Sequence, residues 1–254
     1  MRKLITRRRL IASIGAGGAG LTLAGCDRLG ATQTFGEEFL SYGNWLSYRV
    51  HRLIGASSMA REYSASEMSP TFRTNGSTEP LSGEYQQLAA NGFAGWRLKV
   101  EGRVRAQKSF SLADLMAMPA RSQITRHDCV EGWSAIGKWT GVQLARVLDE
   151  AGLMPDARYI VFHCADNIGL STYYESIDLV DAYHPQTILA YGMNGAVLPI
   201  GHGAPIRLRV ERQLGYKHAK FVMRIEAVRD LSEVGLGKGG YWEDAAGYDW
   251  YAGI

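Results

Sequence analysis

Cysteine is scarce in this 254-residue chain, which has only Cys26, Cys129 and Cys164. So few thiols exclude a multi-bridge disulfide framework, and with no C-x-x-C pair the usual zinc ribbons, dithiol redox motifs and haem attachments are excluded too. The nucleophile turn G-x-S-x-G and the metalloprotease helix H-E-x-x-H are also missing, which removes two large hydrolase classes. Basic runs are lacking outside the N-terminus. The formal charge of +3 and the pI of about 8.7 mislead, because five positive charges (Arg2, Lys3, Arg7, Arg8 and Arg9) stand in the first 25 residues with no acidic residue among them. Residues 26–254 therefore carry a formal −2, and no electrostatic footprint for a nucleic acid remains.

What the N-terminus does contain reads as an export signal. The basic stretch precedes an apolar run over residues 10–23, too short for a mature membrane-spanning helix. Thr6-Arg7-Arg8-Arg9-Leu10-Ile11 resembles the twin-arginine motif, and glycines at 15, 17, 18 and 20 keep the run only mildly hydrophobic. Leu23-Ala24-Gly25-Cys26 resembles a bacterial lipobox, in which Cys26 is lipidated and opens the mature chain. Asp27 resembles the signal that retains such lipoproteins at the inner membrane. The expectation is a folded protein exported to the periplasm and tethered to the inner membrane through Cys26. An ordinary secreted protein and an uncleaved anchor are the alternatives.

About 229 residues follow the signal, and 46% of the whole chain is hydrophobic, enough for one substantial core. Residues 26–70 read as a polar tether and lead-in with a short helix over residues 45–54, residues 71–235 as the main domain, and residues 236–254 as an aromatic tail. Trp96, Leu98 and Val100 alternate as a strand. Ser111-Leu112-Ala113-Asp114 opens a short helix that Pro119 stops. Thr140-Gly141 is expected to start another, with Leu144, Val147 and Leu148 on one face and Gly152 past its end. Further strands are expected over residues 159–162, at Ile206, Leu208 and Val210, and over residues 221–228. Strands outnumber helices without strict βαβ alternation, which gives a single α+β domain with a β-rich core.

Chemistry concentrates at two places. Cys129 lies in Arg126-His127-Asp128-Cys129-Val130-Glu131-Gly132-Trp133, where a neighbouring Arg or protonated His would favour the thiolate, the form that attacks electrophiles or ligates soft metals. A Cys129–Cys164 disulfide is the structural alternative. The second cluster is Gly201-His202-Gly203-Ala204-Pro205-Ile206-Arg207 with Gly215-Tyr216-Lys217-His218-Ala219-Lys220. Its glycines allow close backbone approach, and Arg207, His218 and Lys220 offer charge-assisted donors to a phosphate or other oxyanion. Taken singly, Arg207 could be an outward charge on a strand, Lys220 a solvated lysine and His202 a turn residue.

Together these segments resemble the sulfite oxidase-like molybdenum–pterin oxidoreductases, particularly the periplasmic members related to methionine-sulfoxide reductase. Residues 129–134, Cys-Val-Glu-Gly-Trp-Ser, with Trp139-Thr140-Gly141-Val142, are similar to that family's metal-ligating segment. His202-Gly203-Ala204-Pro205-Ile206-Arg207 and His218-Ala219-Lys220 resemble its pterin- and phosphate-binding segments, and Thr71-Phe72-Arg73-Thr74-Asn75 its opening cofactor loop. The resemblance implies a sulfite oxidase-type fold and a Mo-molybdopterin cofactor. Cys129 would bind the metal, Asn75 and His202 the pterin, and Arg207, His218, Ala219 and Lys220 the phosphate, with Arg73 beside them. Cys164 falls where relatives carry a cofactor-proximal Thr or Asp.

The same resemblance implies two-electron oxygen-atom transfer, with reduction of an S- or N-oxide, a small molecule or an oxidised protein side chain, placed ahead of sulfite oxidation. Lacking a haem-attachment motif, the chain would exchange electrons with a separate partner such as a membrane haem protein. A non-catalytic lipoprotein scaffold and a Cys129–His127 hydrolase are the readings from other classes. The aromatic tail could cover the site, dock a partner or cap the core, and capping is the default.

Overall fold

The computed structural model describes residues 33–169 and 171–254; the export signal, Cys26 and the start of the tether lie outside the described residues. The chain divides into two compact units, Met1–Val50 and His51–Ile254. In place of the short helix expected over residues 45–54 there is a 23-residue helix, α1 (Gln33–Gly55), along which Tyr42 and Trp45 stack with ring centroids 5.6 Å apart. Among the described residues no helix is long and apolar enough to cross a membrane.

The second unit is built on two five-stranded sheets. The first contains β1 (Arg97–Gly102), β2 (Lys108–Ser111), β5 (Tyr159–Ile168), β6 (Ser171–Asp178) and β10 (Val222–Val228), in the order β2-β1-β10-β5-β6. The late strand β10 lies in the middle, parallel to β1 (Val100 opposite Ile225) and antiparallel to β5 (Ile225 opposite Phe162). The second sheet contains β3 (Ala120–Asp128), β4 (Ser134–Gln143), β7 (Ile188–Met193), β8 (Ala196–Val197) and β9 (Arg207–Arg209), with β8 and β9 both paired to β7. After α1, the described helices are α2 (Gly83–Ala90), α3 (Leu112–Ala117), α4 (Leu144–Ala151), α5 (Leu179–Ala182) and α6 (Tyr241–Ala246).

Local chemistry explains most boundaries. Ser111 caps α3 by accepting from the Asp114 amide while the Asp114 carboxylate accepts from the Ser111 amide, a reciprocal box that starts the helix as expected. The expected start at Thr140-Gly141 is wrong by four residues. That stretch finishes β4, in which Ala135, Gly137, Trp139 and Gly141 point inward, and α4 begins only at Leu144. Leu144, Val147, Leu148 and Ala151 then form its buried stripe, and Gly152 at φ +66° ends it in a backbone region that suits glycine.

The main core holds Trp96, Leu98, Phe162, Ile160, Leu148 and Ile225, all fully buried, each worth about 1.5–3 kcal/mol in transfer free energy. A smaller core gathers Trp139, Ile188, Ala190, Met193 and Leu198 with Phe72. The later part of the lead-in joins this frame: Glu62 bridges Thr125, and the Ser69 amide donates to the Ile136 carbonyl at 3.0 Å. Arg52 donates to both carboxylates of Asp178 and Asp181, with contacts of 2.7–3.1 Å.

Candidate cofactor and substrate site

Cys129 opens the turn joining β3 to β4. Its amide donates to the Trp133 carbonyl at 2.9 Å, the Gly132 amide donates back to the Cys129 carbonyl at 3.0 Å, and Gly132 sits at φ +84°, so the turn needs glycine there. The thiol faces a cavity of about 180 Å³ whose walls come from four other places. The loop before α2 supplies Asn75, Gly76 and Ser77; the end of β5 and start of β6 supply Asp166, Ile168 and Tyr173; the turn after β9 supplies Tyr216, His218 and Lys220; and the tail supplies Trp242 and Tyr248.

The expected electrostatics of Cys129 are corrected. Strand alternation turns Arg126 outward, where it is half exposed and pairs with Asp128 at 2.9 Å, while His127 points inward and is buried. Burial pushes the Cys129 thiol up, and the Glu131 charge adds to this. The Glu131 and Val130 amides and Arg73 pull the other way without prevailing. The protein alone therefore holds a thiol, and a bound cation is what would draw off its proton. Cys129 and Cys164 are both free, not bridged.

His127 is kept neutral by burial and by Arg209. Arg209, which can only donate, approaches His127 Nδ1 at 3.0 Å, so Nδ1 accepts and the proton sits on Nε2. Arg209 is itself held by the Glu211 carboxylate at 2.5 and 2.9 Å. Gly215 lets this ring in, since a Cβ there would lie 2.6 Å from His127 Nε2. The His218 ring stands 5.0 Å from that of His127 and donates through Nε2 to the Gln213 carbonyl at 3.0 Å.

Arg207 is not the outward charge that strand alternation allowed. It is fully buried, donates to the His202 and His218 carbonyls at 3.1 and 3.3 Å, and lies 5.0 Å from the centre of the Trp139 ring, with Arg209 4.4 Å from the same ring. Burial and its neighbour Arg209 push Arg207 down to about 9, so it stays charged at neutral pH. Lys220 is not a solvated lysine either. Its ammonium donates to the carbonyls of Asn75 (2.7 Å), Gly201 (3.0 Å) and Ser77, tying the opening loop to the second cluster, and burial with Arg207 pushes it down to about 7. His202, pushed down to about 4 by burial and then by Arg207, stacks edge-on to Phe72.

Of the residues singled out in the sequence, Cys129, Asn75, His218 and Lys220 line one cavity. Arg207 and His202 support it through backbone carbonyls and ring contacts. Arg73 is exposed, its guanidinium 5.9 Å from the Trp133 ring, and Ala219 is buried in the main core with its carbonyl accepting from the Leu208 amide. Cys164 sits in that core and lines a different cavity, beside Tyr85 and His163. Sequence reasoning placed Trp139 in the metal-ligating segment but missed its contact with Arg207 and Arg209, and it missed Arg209 and Glu211, which pair with each other. It also missed Tyr173 and the buried Glu175–Lys217–Glu243 cluster.

The arrangement fits a metal–pterin group. Among the described residues, the buried nitrogens His127 Nε2, Trp139 Nε1, His202 Nδ1, His218 Nδ1 and Arg207 Nε, and the buried oxygen Asp166 Oδ1, are among those with no protein partner. Buried polar atoms of this kind are normally satisfied, so those of His218 and Asp166, which line the cavity with Cys129, mark a polar ligand. Among the described residues no three His, Cys, Asp or Glu gather into a metal-binding set, so a metal at Cys129 would take its other ligands from a cofactor.

A buried thiol at a polar cavity on a two-sheet α+β frame makes a site suited to a bound cofactor. Residues 85–234 match the family model described as "Oxidoreductase molybdopterin binding domain", and the chain belongs to that family. It is 43% identical over 160 residues to "Putative protein-methionine-sulfoxide reductase subunit YedZ1" of Azospira oryzae, covering 63% of this chain and 56% of that protein. To the protein-methionine-sulfoxide reductase catalytic subunit MsrP of Ralstonia nicotianae it is 40% identical over 144 residues, covering 52% of this chain and 44% of the other. The chain thus spans about half the length of the curated relatives it matches. Among solved structures, the sulfane dehydrogenase SoxCD of Paracoccus pantotrophus shares the fold, with a TM-score of 0.50 and 24% identity over 54% of this chain and 39% of that one.

Proposed function

We propose that this chain is the catalytic unit of a molybdenum–pterin reductase of S-oxides, with methionine sulfoxide in proteins as the substrate class. The observation that carries this reading is the make-up of the Cys129 cavity. Ile168, Tyr173, Tyr216, Trp242 and Tyr248 wall it, and among the described residues Lys220 is the one Lys or Arg lining it, its ammonium shared among three carbonyls. Sulfite is a small dianion that needs converging cations. Here Arg207 and Arg209 are buried against Trp139, Arg126 is paired outward, and Glu131 and Asp166 put carboxyls into the walls. A neutral sulfinyl group on an apolar arm suits such walls better.

When bound, the cofactor supplies two-electron oxygen-atom transfer. Cys129 would hold the metal with Arg73 close by, Asn75 and His202 the pterin, and Arg207, His218, Ala219 and Lys220 the phosphate end, while Cys164 faces a different cavity. Overall, a dialkyl S-oxide takes up two electrons and two protons and leaves as the thioether and water. The electrons would come from a separate haem-bearing membrane partner, in keeping with the word "subunit" in both relatives' names, and the protons from solvent.

We extend the proposal to location: twin-arginine export and lipidation of Cys26 would place the enzyme at the periplasmic face of the inner membrane. Cys26→Ala should release it as a soluble periplasmic protein, and a wild-type chain retained in the cytoplasm would end this part. For the activity, metal-loaded protein assayed with reduced-dye donors should turn over methionine sulfoxide. Oxidation of sulfite at a micromolar KM with no sulfoxide reduction would reverse the assignment, and a purified, matured chain without molybdenum would make it a scaffold.

A further inference from the structure

The wall formed by Trp242 and Tyr248 comes from outside the matched family segment, which ends at residue 234. It is firmly built. Glu243 on α6 accepts from the buried Lys217 ammonium at 2.7 Å, and the Tyr241 hydroxyl donates to the Ile168 carbonyl at 3.1 Å. Gly247, at φ +69°, turns the chain back so that Tyr248 stacks on Trp242, with centroids 5.8 Å apart and planes at 23°. Tyr248 also meets Tyr216 edge-on at 5.1 Å, and the Tyr216 hydroxyl donates to the Asp249 carbonyl at 2.6 Å. Five rings, those of Tyr173, Tyr216, Tyr241, Trp242 and Tyr248, thus form one connected patch against the Cys129 cavity.

Ring faces carry negative potential, and sulfur and methylene groups pack well on aromatic surfaces. Such a wall disfavours a dianion and rewards the apolar arm of a neutral sulfur compound. We propose that Trp242 and Tyr248 are specificity-determining residues that receive the apolar arm of an S-oxide substrate, so that this chain's tail sets which S-oxides are accepted. The inference rests on the reductase reading and deepens it. Lys217 and Glu243 are positioning residues, acting through α6.

The test uses the metal-loaded full chain and two probes that share a methylsulfinyl group, methyl benzyl sulfoxide and dimethyl sulfoxide. Wild type should prefer the benzyl compound in kcat/KM. Trp242→Ala combined with Tyr248→Ala should lower that preference by about tenfold, the scale of one or two aromatic–aromatic contacts to the benzyl ring, mainly through KM and with molybdenum per chain retained. Trp242→Phe should keep most of it. Trp242→Leu alone reads the same ratio if the double variant does not fold. An unchanged ratio with full metal content would overturn the inference, and so would loss of molybdenum in step with the ratio, which would make the wall part of cofactor binding. Wild type inert toward both sulfoxides would instead defeat the reductase reading, and the inference with it.

Discussion

Replacing Lys217 by methionine should be among the most damaging single changes in the protein, and its damage should grow with pH. The ammonium is fully buried and donates to Glu175 at 2.5 Å and Glu243 at 2.7 Å, so one cation serves two carboxyls. Breaking a buried ion pair by removing one partner costs about 3–5 kcal/mol, because the remaining charge is left unpaired. For a domain of this size that lowers Tm by about 6–20 °C. Burial already pushes the Glu175 carboxyl well above its ordinary 4.5, Glu243 pushes the same way, and Lys217 opposes them. Removing the lysine raises it further. A carboxyl raised in the folded state keeps its proton where the unfolded chain has lost it, so stability falls as pH climbs from about 4.5 through the folded value. Thermal melts of Lys217→Met against wild type, matched for metal content, should show the smaller deficit at pH 5 and the larger at pH 8. Glu243→Gln, which leaves a one-to-one pair, should lose less than Lys217→Met at pH 8. A deficit under 2 °C at pH 8, or one equal at both pH values, would refute this account of the cluster.

Two further outcomes are expected. Cys129→Ser should leave under a tenth of the wild-type molybdenum by elemental analysis of folded protein, since a hydroxyl is a poor substitute for the thiolate ligand; full retention would move the ligand elsewhere. Arg52→Ala removes the cation bridging Asp178 and Asp181, and should cost about 3 kcal/mol at pH 7 by urea unfolding. Burial pushes the Asp181 carboxyl up, but Arg52 and Arg212 together hold it below its usual 3.8. Its contribution is therefore present above about 3.8 and lost as pH falls through the lower folded value, so the gap between variant and wild type should close in strong acid and not at pH 6.

Local signals in the sequence were read well where a single residue type decides the backbone. The Ser111–Asp114 box, the Leu144/Val147/Leu148 stripe and Gly152 all translate directly into structure because each acts within one or two turns. The Thr140-Gly141 start failed because Gly141 is needed for close packing under Leu189, a neighbour 48 positions away in the chain. The clustering of Cys129 with His218 and Lys220 was legible, since glycines and donors at fixed spacing carry their own chemistry. The depth of Arg207 was not, because it depends on Trp139, which alternates with small residues on another strand and leaves room for two guanidinium groups above one ring. The role of the tail was also hidden: capping the core and lining a cavity use the same aromatic composition, and only the Lys217 anchor separates them.

The place of β10 has a consequence for synthesis. A nascent chain that has emerged as far as residue 220 already owns the β1–β2 and β5–β6 hairpins but not the strand that joins them, so the backbone donors and acceptors along the inner edges of both remain unpaired. Only when residues 222–228 thread between them do Val100, Ile225 and Phe162 come into line. Ribosome-stalled chains from which residues 222–228 have not emerged should be caught by holdase chaperones and cut readily by protease, and lengthening them until those residues emerge should abolish both.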